Sequence, residues 1–187
     1  MAAYADLKRT ALRALTGRVL EIGAGRGANF GHLGVTVDWV GLEPDGRRHA
    51  DLRRAATRHG RRDAVLRAGA ERIPLGDASV DAVIGTVVLC SVADQAAVLA
   101  EVRRVLRPGG SYLFFEHVAS PRGTASCRLQ RFVAPLTRRF DGGCDPTRET
   151  WRTIEAAGFA AVDLRWFSRG NPLSMFGRYI AGTATTG

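Results

Sequence analysis

The sequence predicts an α/β protein built on a seven-stranded, mostly parallel sheet that ends in an antiparallel C-terminal strand pair. Three observations carry that prediction. Short apolar runs alternate with amphipathic helical stretches from residue 3 to residue 116, the rhythm of parallel strands joined by crossover helices. The first run breaks into a turn holding Gly23, Gly25 and Gly27, the place where such sheets bind ligands. Two strand-like runs then close the chain, joined only by the turn residues Gly170-Asn171-Pro172. With 187 residues there is room for a single domain and little more.

Residues 3–15 suit a helix with Leu7, Leu12 and Leu15 on one side. Residues 18–22 form an apolar strand that runs into the glycines, and 35–42 form a second strand. The stretch 47–59 is helical but dense in arginine, so its outer face must be solvated. Strands follow at 64–68 and 81–86. Residues 94–106 read as an amphipathic helix, with Val98, Leu99, Val102, Val105 and Leu106 at helical spacing. Pro108-Gly109-Gly110 stops it and turns into a strand at 111–116. Residues 119–146 break the rhythm: Pro121, Gly123, Pro135, Gly142, Gly143 and Pro146 surround a helix-compatible stretch with Leu129, Phe132, Val133 and Leu136. This predicts a substrate-side insertion over the edge of the sheet. Asp145 is placed as an N-cap with Pro146 at the first helical position. That helix puts Trp151 and Ile154 on one side and ends at Gly158. The closing strands are expected at 160–167 and 174–181.

Composition narrows the function. Apolar residues make up 45% and charged residues 24%, the balance of a soluble globular chain. No apolar run approaches the roughly 20 residues of a membrane helix, and early charges leave no signal-peptide core. Cys90, Cys127 and Cys144 are odd in number and widely spaced, so no disulfide framework is expected and a cytoplasmic location is the default. His32, His49 and His59 share no ligand spacing with a cysteine or acid, and no metal site is expected. The net charge of +9 invites a nucleic-acid reading. Against it, arginine is the default basic residue here, since Lys8 is the sole lysine. The arginine-rich helix also lacks a companion platform of stacking aromatics. No specific nucleic-acid partner is expected, and the sequence sets no oligomeric state.

The sharpest signal is VLEIGAGRGANF at 19–30. Glycines after a strand let the backbone turn tightly and let a ligand approach the main chain. Twenty residues after Gly23 the second strand ends in Glu43, a carboxylate able to accept both hydroxyl protons of a ribose. Gly23-x-Gly25-x-x-Ala28 also satisfies a loose dinucleotide pattern. Two features separate the cases: Glu21 just before the glycines, and GAERIPLGDASVDAVIGTVVLCSV (69–92) followed by EVRRVLRPGGSYLFFEH (101–117). With these, the whole chain resembles the Rossmann-like class I S-adenosylmethionine-dependent methyltransferases. GANF, TVVLCSV, EVRRVLRPGG, EHV and DGGCDPTRETW (141–151) bring it nearest to the methyltransferase-like-seven family of alkyl thiol methyltransferases. Those animal proteins are membrane-anchored through a hydrophobic N-terminus; no such anchor is expected here.

The resemblance implies S-adenosyl-L-methionine as cofactor and a small molecule, by preference a thiol, as methyl acceptor. Glu21 would steady the loop, and Gly23, Ala24, Gly25 and Gly27, with Asn29, would hold the methionine part. Glu43, with Pro44 beside it, would take the ribose hydroxyls. Ala70 and Glu71 would lie beside the adenine. Gly69 stands where many relatives have an aspartate for the adenine amino group. Thr86 and Val87 would line the floor under the sulfonium. Acceptor chemistry would be set in residues 119–146, where O-, N- or C-methylation of another metabolite is the alternative and RNA methylation a more distant one.

His117, at the carboxyl end of the fifth strand, is the candidate catalytic residue. It is either the base for an acceptor thiol or a histidine that holds the insertion. Glu116 beside it must point to the other side of the strand. Tyr4, Cys90, Asp141 and Cys144 are the candidate acceptor-side residues.

Overall fold

The computed structural model describes residues 2–62, 64–140, 142–168 and 177–187. Its strands are β1 (Arg18–Ile22), β2 (Asp38–Leu42), β3 (Val65–Leu66), β4 (Val80–Thr86), β5 (Leu106–His117), β6 (Ala161–Ser168) and β7 (Arg178–Thr185). Its helices are α1 (Ala2–Arg13), α2 (His49–Arg58), α3 (Gln95–Val105), α4 (Ala125–Phe140) and α5 (Thr150–Ala156). The strands form one sheet in the order β3-β2-β1-β4-β5-β7-β6. β1 to β5 pair in parallel, and β7 lies antiparallel between β5 and β6. The predicted fold class is therefore the observed one.

Alternation along each central strand builds two cores. Val19, Ile84 and Phe115 face one layer with Leu12 of α1 and Leu52 of α2. Leu20, Ile22, Val83 and Phe114 face the other, with Val98, Leu99 and Val102 of α3 and Ile154 of α5. Both faces of the sheet are thus covered, which parallel strands require. Each such aliphatic side chain contributes roughly 1.5–3 kcal/mol on full burial. Asp94 caps α3, accepting from the N–H groups of Ala96 (2.9 Å) and Ala97 (3.1 Å). Asp94→Ala is expected to lower unfolding free energy by about 0.5–2 kcal/mol in urea titrations, with Asp94→Asn close to wild type.

Several boundaries move. β2 starts at Asp38, because a turn closed by Val37 N–H on Gly34 C=O takes up the residues before it. β3 is only two residues long, and the first turn of the 47–59 stretch is a 3₁₀ turn (Gly46–Arg48) capped by Asp45. Leu106 is the first residue of β5 and not the last of the helix. Pro108-Gly109-Gly110 lies inside β5 as a bulge: Leu106 pairs with Val80 and Ser111 with Ala82, and Gly109 takes φ +73°. Asp145 is not a helix cap. Its carboxylate takes the N–H and hydroxyl of Thr147, a local turn, and α5 begins only at Thr150. β7 runs to Thr185, four residues beyond the expected end, since its pairing with β5 continues to Ser111. Gly170-Asn171-Pro172 and the expected start of that strand at Ser174 lie outside the described residues.

The insertion carries α4, which turns a polar face inward. Ser126, Gln130, Ala134 and Thr137 are buried, whereas Phe132 and Leu136 are exposed. Gln130 explains this. Its side chain accepts from Ser120 N–H (2.7 Å) and donates to Val118 C=O (3.1 Å), completing the backbone bonding of the segment leaving β5. No helix among the described residues is long and apolar enough to cross a membrane.

Candidate active site

The strand order reverses between β1 and β4, so the connections on the two sides run apart and leave a crevice at the carboxyl ends. A cavity of about 770 Å³ sits there. Its walls come from the segments that follow five strands: Gly23 after β1, Glu43 and Pro44 after β2, 68–71 after β3, Val87 and Val88 after β4, and His117 closing β5. Gly142, Cys144 and Phe140 of the insertion, with Tyr179 of β7, also line it. Sites for organic ligands span about 300–1,000 Å³, so this one has room for a cofactor and a small acceptor together.

One end of the cavity is built on the glycine turn. Gly23 and Gly25 both take φ +59°, the left-handed region. A Cβ on Gly23 would also come within 2.6 Å of the Val88 side chain, so only glycine fits. Glu43 holds the turn: Oε2 accepts from Gly25 N–H (2.8 Å) and Oε1 from Asp45 N–H (2.9 Å). Glu43 lines the cavity, and each of its oxygens has a second lone pair beyond the one these amides use, the acceptor capacity a ribose diol requires. Behind the turn, buried Glu21 accepts from Asn29 Nδ2 (2.7 Å) and Trp39 Nε1 (2.8 Å). Asn29 Nδ2 also lies 3.2 Å from Thr86 Oγ1. Burial pushes the Glu21 carboxyl up from its ordinary value, against the two donors that pull it down.

The other end is built on β5 and the insertion. Glu116 and His117 diverge as alternation requires. Glu116 Oε1 accepts from Val88 N–H (3.0 Å) and Leu89 N–H (3.3 Å), holding up the turn after β4. Burial raises its carboxyl to about 7. In that turn Val87 takes φ +54°, a strained state for a β-branched residue and one that clusters at functional sites. The His117 Nε2 lies 3.1 Å from Cys144 Sγ. Cys90 stands beside them, and the ligating atoms of the three all lie within 4.8 Å of one another. The hydrogen bond with Cys144, and after it burial, push the Cys90 thiol well up from its ordinary value.

Of the residues predicted for the cofactor, Gly23, Glu43, Pro44, Ala70, Glu71 and Val87 line the cavity. Glu21, Ala24, Gly25, Gly27, Asn29 and Thr86 do not. Glu21, Asn29 and Thr86 form instead a hydrogen-bonded group behind the turn. On the acceptor side His117 and Cys144 line the cavity, and Cys90 is fully buried behind them. Tyr4 is absent from the wall: its ring packs on Phe115, Phe167 and Tyr179, with centroids 5.3–6.2 Å apart. Asp141 lies outside the described residues. Arg47 and Arg48, at the start of the arginine-rich stretch, also line the cavity, both paired with Asp45, and were not among the predicted site residues. Sequence reasoning also missed Tyr179 and the convergence of Cys90, His117 and Cys144. No spacing signals that convergence, because the three come from separate elements.

The family described as a methyltransferase domain matches residues 20–114. The thiol S-methyltransferase TMT1B of Rattus norvegicus is 40% identical over 151 residues, covering 79% of this chain and 62% of that protein. An uncharacterized methyltransferase of Mycolicibacterium gilvum is 32% identical over 182 residues, covering 91% of this chain and 68% of its own length. Among solved structures, a Thermotoga maritima SAM-dependent methyltransferase described as a possible histamine N-methyltransferase superposes with a TM-score of 0.71. It is 22% identical and covers 98% of this chain and 89% of its own. The chain thus spans less than two thirds of the rat protein it matches.

Proposed function

Because this chain belongs to the methyltransferase-domain family, we propose that it carries a methyl group from S-adenosylmethionine to the sulfur of a small thiol. One observation carries the reading: a single cavity joins the Glu43 and glycine-turn end to a wall formed by His117 and Cys144. The likeness to thiol S-methyltransferases over 79% of the chain supports sulfur as the acceptor atom.

S-Adenosylmethionine supplies an electrophilic methyl on a sulfonium. The chain's own work is to bind, align and deprotonate. Glu43 holds the ribose hydroxyls, and the segment from Gly69 to Glu71 flanks the base. Val87, fixed by the Glu116 bonds to the next two amides, sets the floor on which cofactor and acceptor meet. A thiol reacts as thiolate, and a free thiol titrates near 8.5, so a proton must leave at neutral pH. His117 takes it. Cys144, 3.1 Å from Nε2, holds the ring on the cavity wall.

Purified enzyme with labelled S-adenosylmethionine and a panel of alkyl thiols, aryl thiols, phenols and amines is the test. S-Methyl products identified by mass are expected. An enzyme that ignores every thiol and methylates a phenol, an amine or RNA would sink the sulfur reading and leave the family unchanged.

A further inference from the structure

Cys90, His117 and Cys144 bring two thiols and one imidazole together at the acceptor end of the cavity, all three buried. They arrive on three separate segments: the turn after β4, the last residue of β5, and the loop after α4. Their donor atoms lie within 4.8 Å of one another. A tetrahedral zinc ion with bonds of about 2.3 Å to sulfur and about 2.0–2.1 Å to nitrogen sets its ligands roughly 3.5–3.8 Å apart. The His117–Cys144 pair at 3.1 Å would open slightly and the widest pair would close, with shifts of about 1.3 Å or less bringing the cluster to bonding geometry. Thiolate and imidazole donors suit zinc and not the oxygen-seeking calcium or magnesium.

The segments are joined by bonds that do not involve the three side chains. Asp145 N–H donates to Cys90 C=O (2.9 Å), and Arg148 Nη1 donates to Leu89 C=O (2.9 Å). Gly143, at φ +87°, passes so near that a Cβ there would sit 3.0 Å from Ser91 C=O. The loop carrying Cys144 is thus clamped onto the turn carrying Cys90, as a pre-organised metal site requires.

We propose that Cys90, His117 and Cys144 bind one zinc ion whose fourth position opens onto the cavity and receives the acceptor thiol as thiolate. Three protein ligands with one open position is the pattern of a working zinc site, whereas a structural site is closed by four. The fourth-position clause rests on the thiol reading; the three-ligand site does not. The charges balance. Cys90 and Cys144 each release a proton to solvent as they bind, and their two thiolates neutralise the dication. The acceptor thiol releases its proton to water as its sulfur bonds the metal, leaving a complex of single negative charge. Nothing is oxidised or reduced. Methylation makes a bond from that thiolate sulfur to the methyl carbon as the methyl's bond to the sulfonium sulfur breaks. The sulfonium sulfur keeps the electron pair, S-adenosylhomocysteine leaves, and the neutral thioether, a weaker ligand, departs. In the metal-free chain the same proton goes to His117, so the cation takes over work the imidazole does alone.

The test is cobalt titration of the full chain after chelator treatment, with no cofactor present. One Co²⁺ per chain is expected, with sulfur-to-metal charge-transfer absorption and the visible bands of a tetrahedral ion, both erased by one equivalent of Zn²⁺. Cys90→Ser and Cys144→Ser should each weaken the charge-transfer band, and Cys127→Ser should leave it intact. A small alkyl thiol should shift the visible bands. Absence of saturable binding to wild-type protein, or a charge-transfer band that survives both serine changes, overturns the site. Visible bands that no thiol perturbs overturn the fourth position. Should cobalt bind and respond to thiol while only phenols or amines are methylated, the site stands and the thiol reading falls. Should thiols be methylated by a protein that binds no cobalt, the reverse holds.

Discussion

His117→Ala, assayed with a small alkyl thiol in metal-free buffer near neutral pH, is expected to lower turnover by about 10²-fold or more. The ring is buried on the cavity wall beside Cys144. Without it, the reactive thiolate is only the fraction that solution chemistry provides. That fraction grows as pH passes the thiol's own titration near 8.5, so the deficit should shrink on the alkaline side. Cofactor affinity should change little, since the Glu43 end of the cavity is built from other segments. The deciding measurement is the ratio of wild-type to variant rate across pH. A deficit that persists undiminished to about pH 10 would make His117 a residue that holds the insertion and not a proton acceptor.

Glu43→Ala is expected to weaken S-adenosylmethionine binding by one or two hydrogen bonds to a charged acceptor, about 1.5–3 kcal/mol each. At about 1.4 kcal/mol per tenfold, one such bond alone raises Kd by roughly 10- to 100-fold. The change also removes the acceptor for the amides of Gly25 and Asp45, so the glycine turn loosens with it. Glu43→Gln separates the two effects: one amide oxygen still accepts, while the charge and half the acceptor capacity are gone. Calorimetry should rank wild type, glutamine and alanine in that order and detect no binding of NAD. Equal affinity in all three, or binding of NAD, would overturn the cofactor site built on Glu43.

The glycine-turn end of the cavity was legible because its signal is local. Gly23 and Gly25 need a left-handed backbone at the end of a strand, and that need is written in residue type. Glu43 directly follows the neighbouring strand, and parallel register sets Glu21 beside Gly41, so the two strands reach the crevice together. Which residues line the cavity and which stand behind was not legible. Glu21 and Asn29 sit in the same motif as Gly23, yet they face Trp39 and Thr86 and not the cavity. The inward polar face of α4 was equally hidden, because helical periodicity marks an apolar stripe without saying what covers it.

By itself the sequence determined the α/β architecture, the glycine turn, the carboxylate after β2 and the family resemblance. Each rests on residues that are contiguous or on adjacent parallel strands, where spacing along the chain translates directly into position. The tertiary structure alone decided that Cys90, His117 and Cys144, each a candidate from the sequence, come together. Cys90, His117 and Cys144 are separated by long stretches of chain, and no periodicity links them. They meet because β5 ends beside the turn after β4, and because the loop after α4 is hydrogen-bonded back onto that turn at Cys90 and Leu89. A site assembled from three elements is fixed by sheet order and loop anchoring, and those are properties of the folded chain.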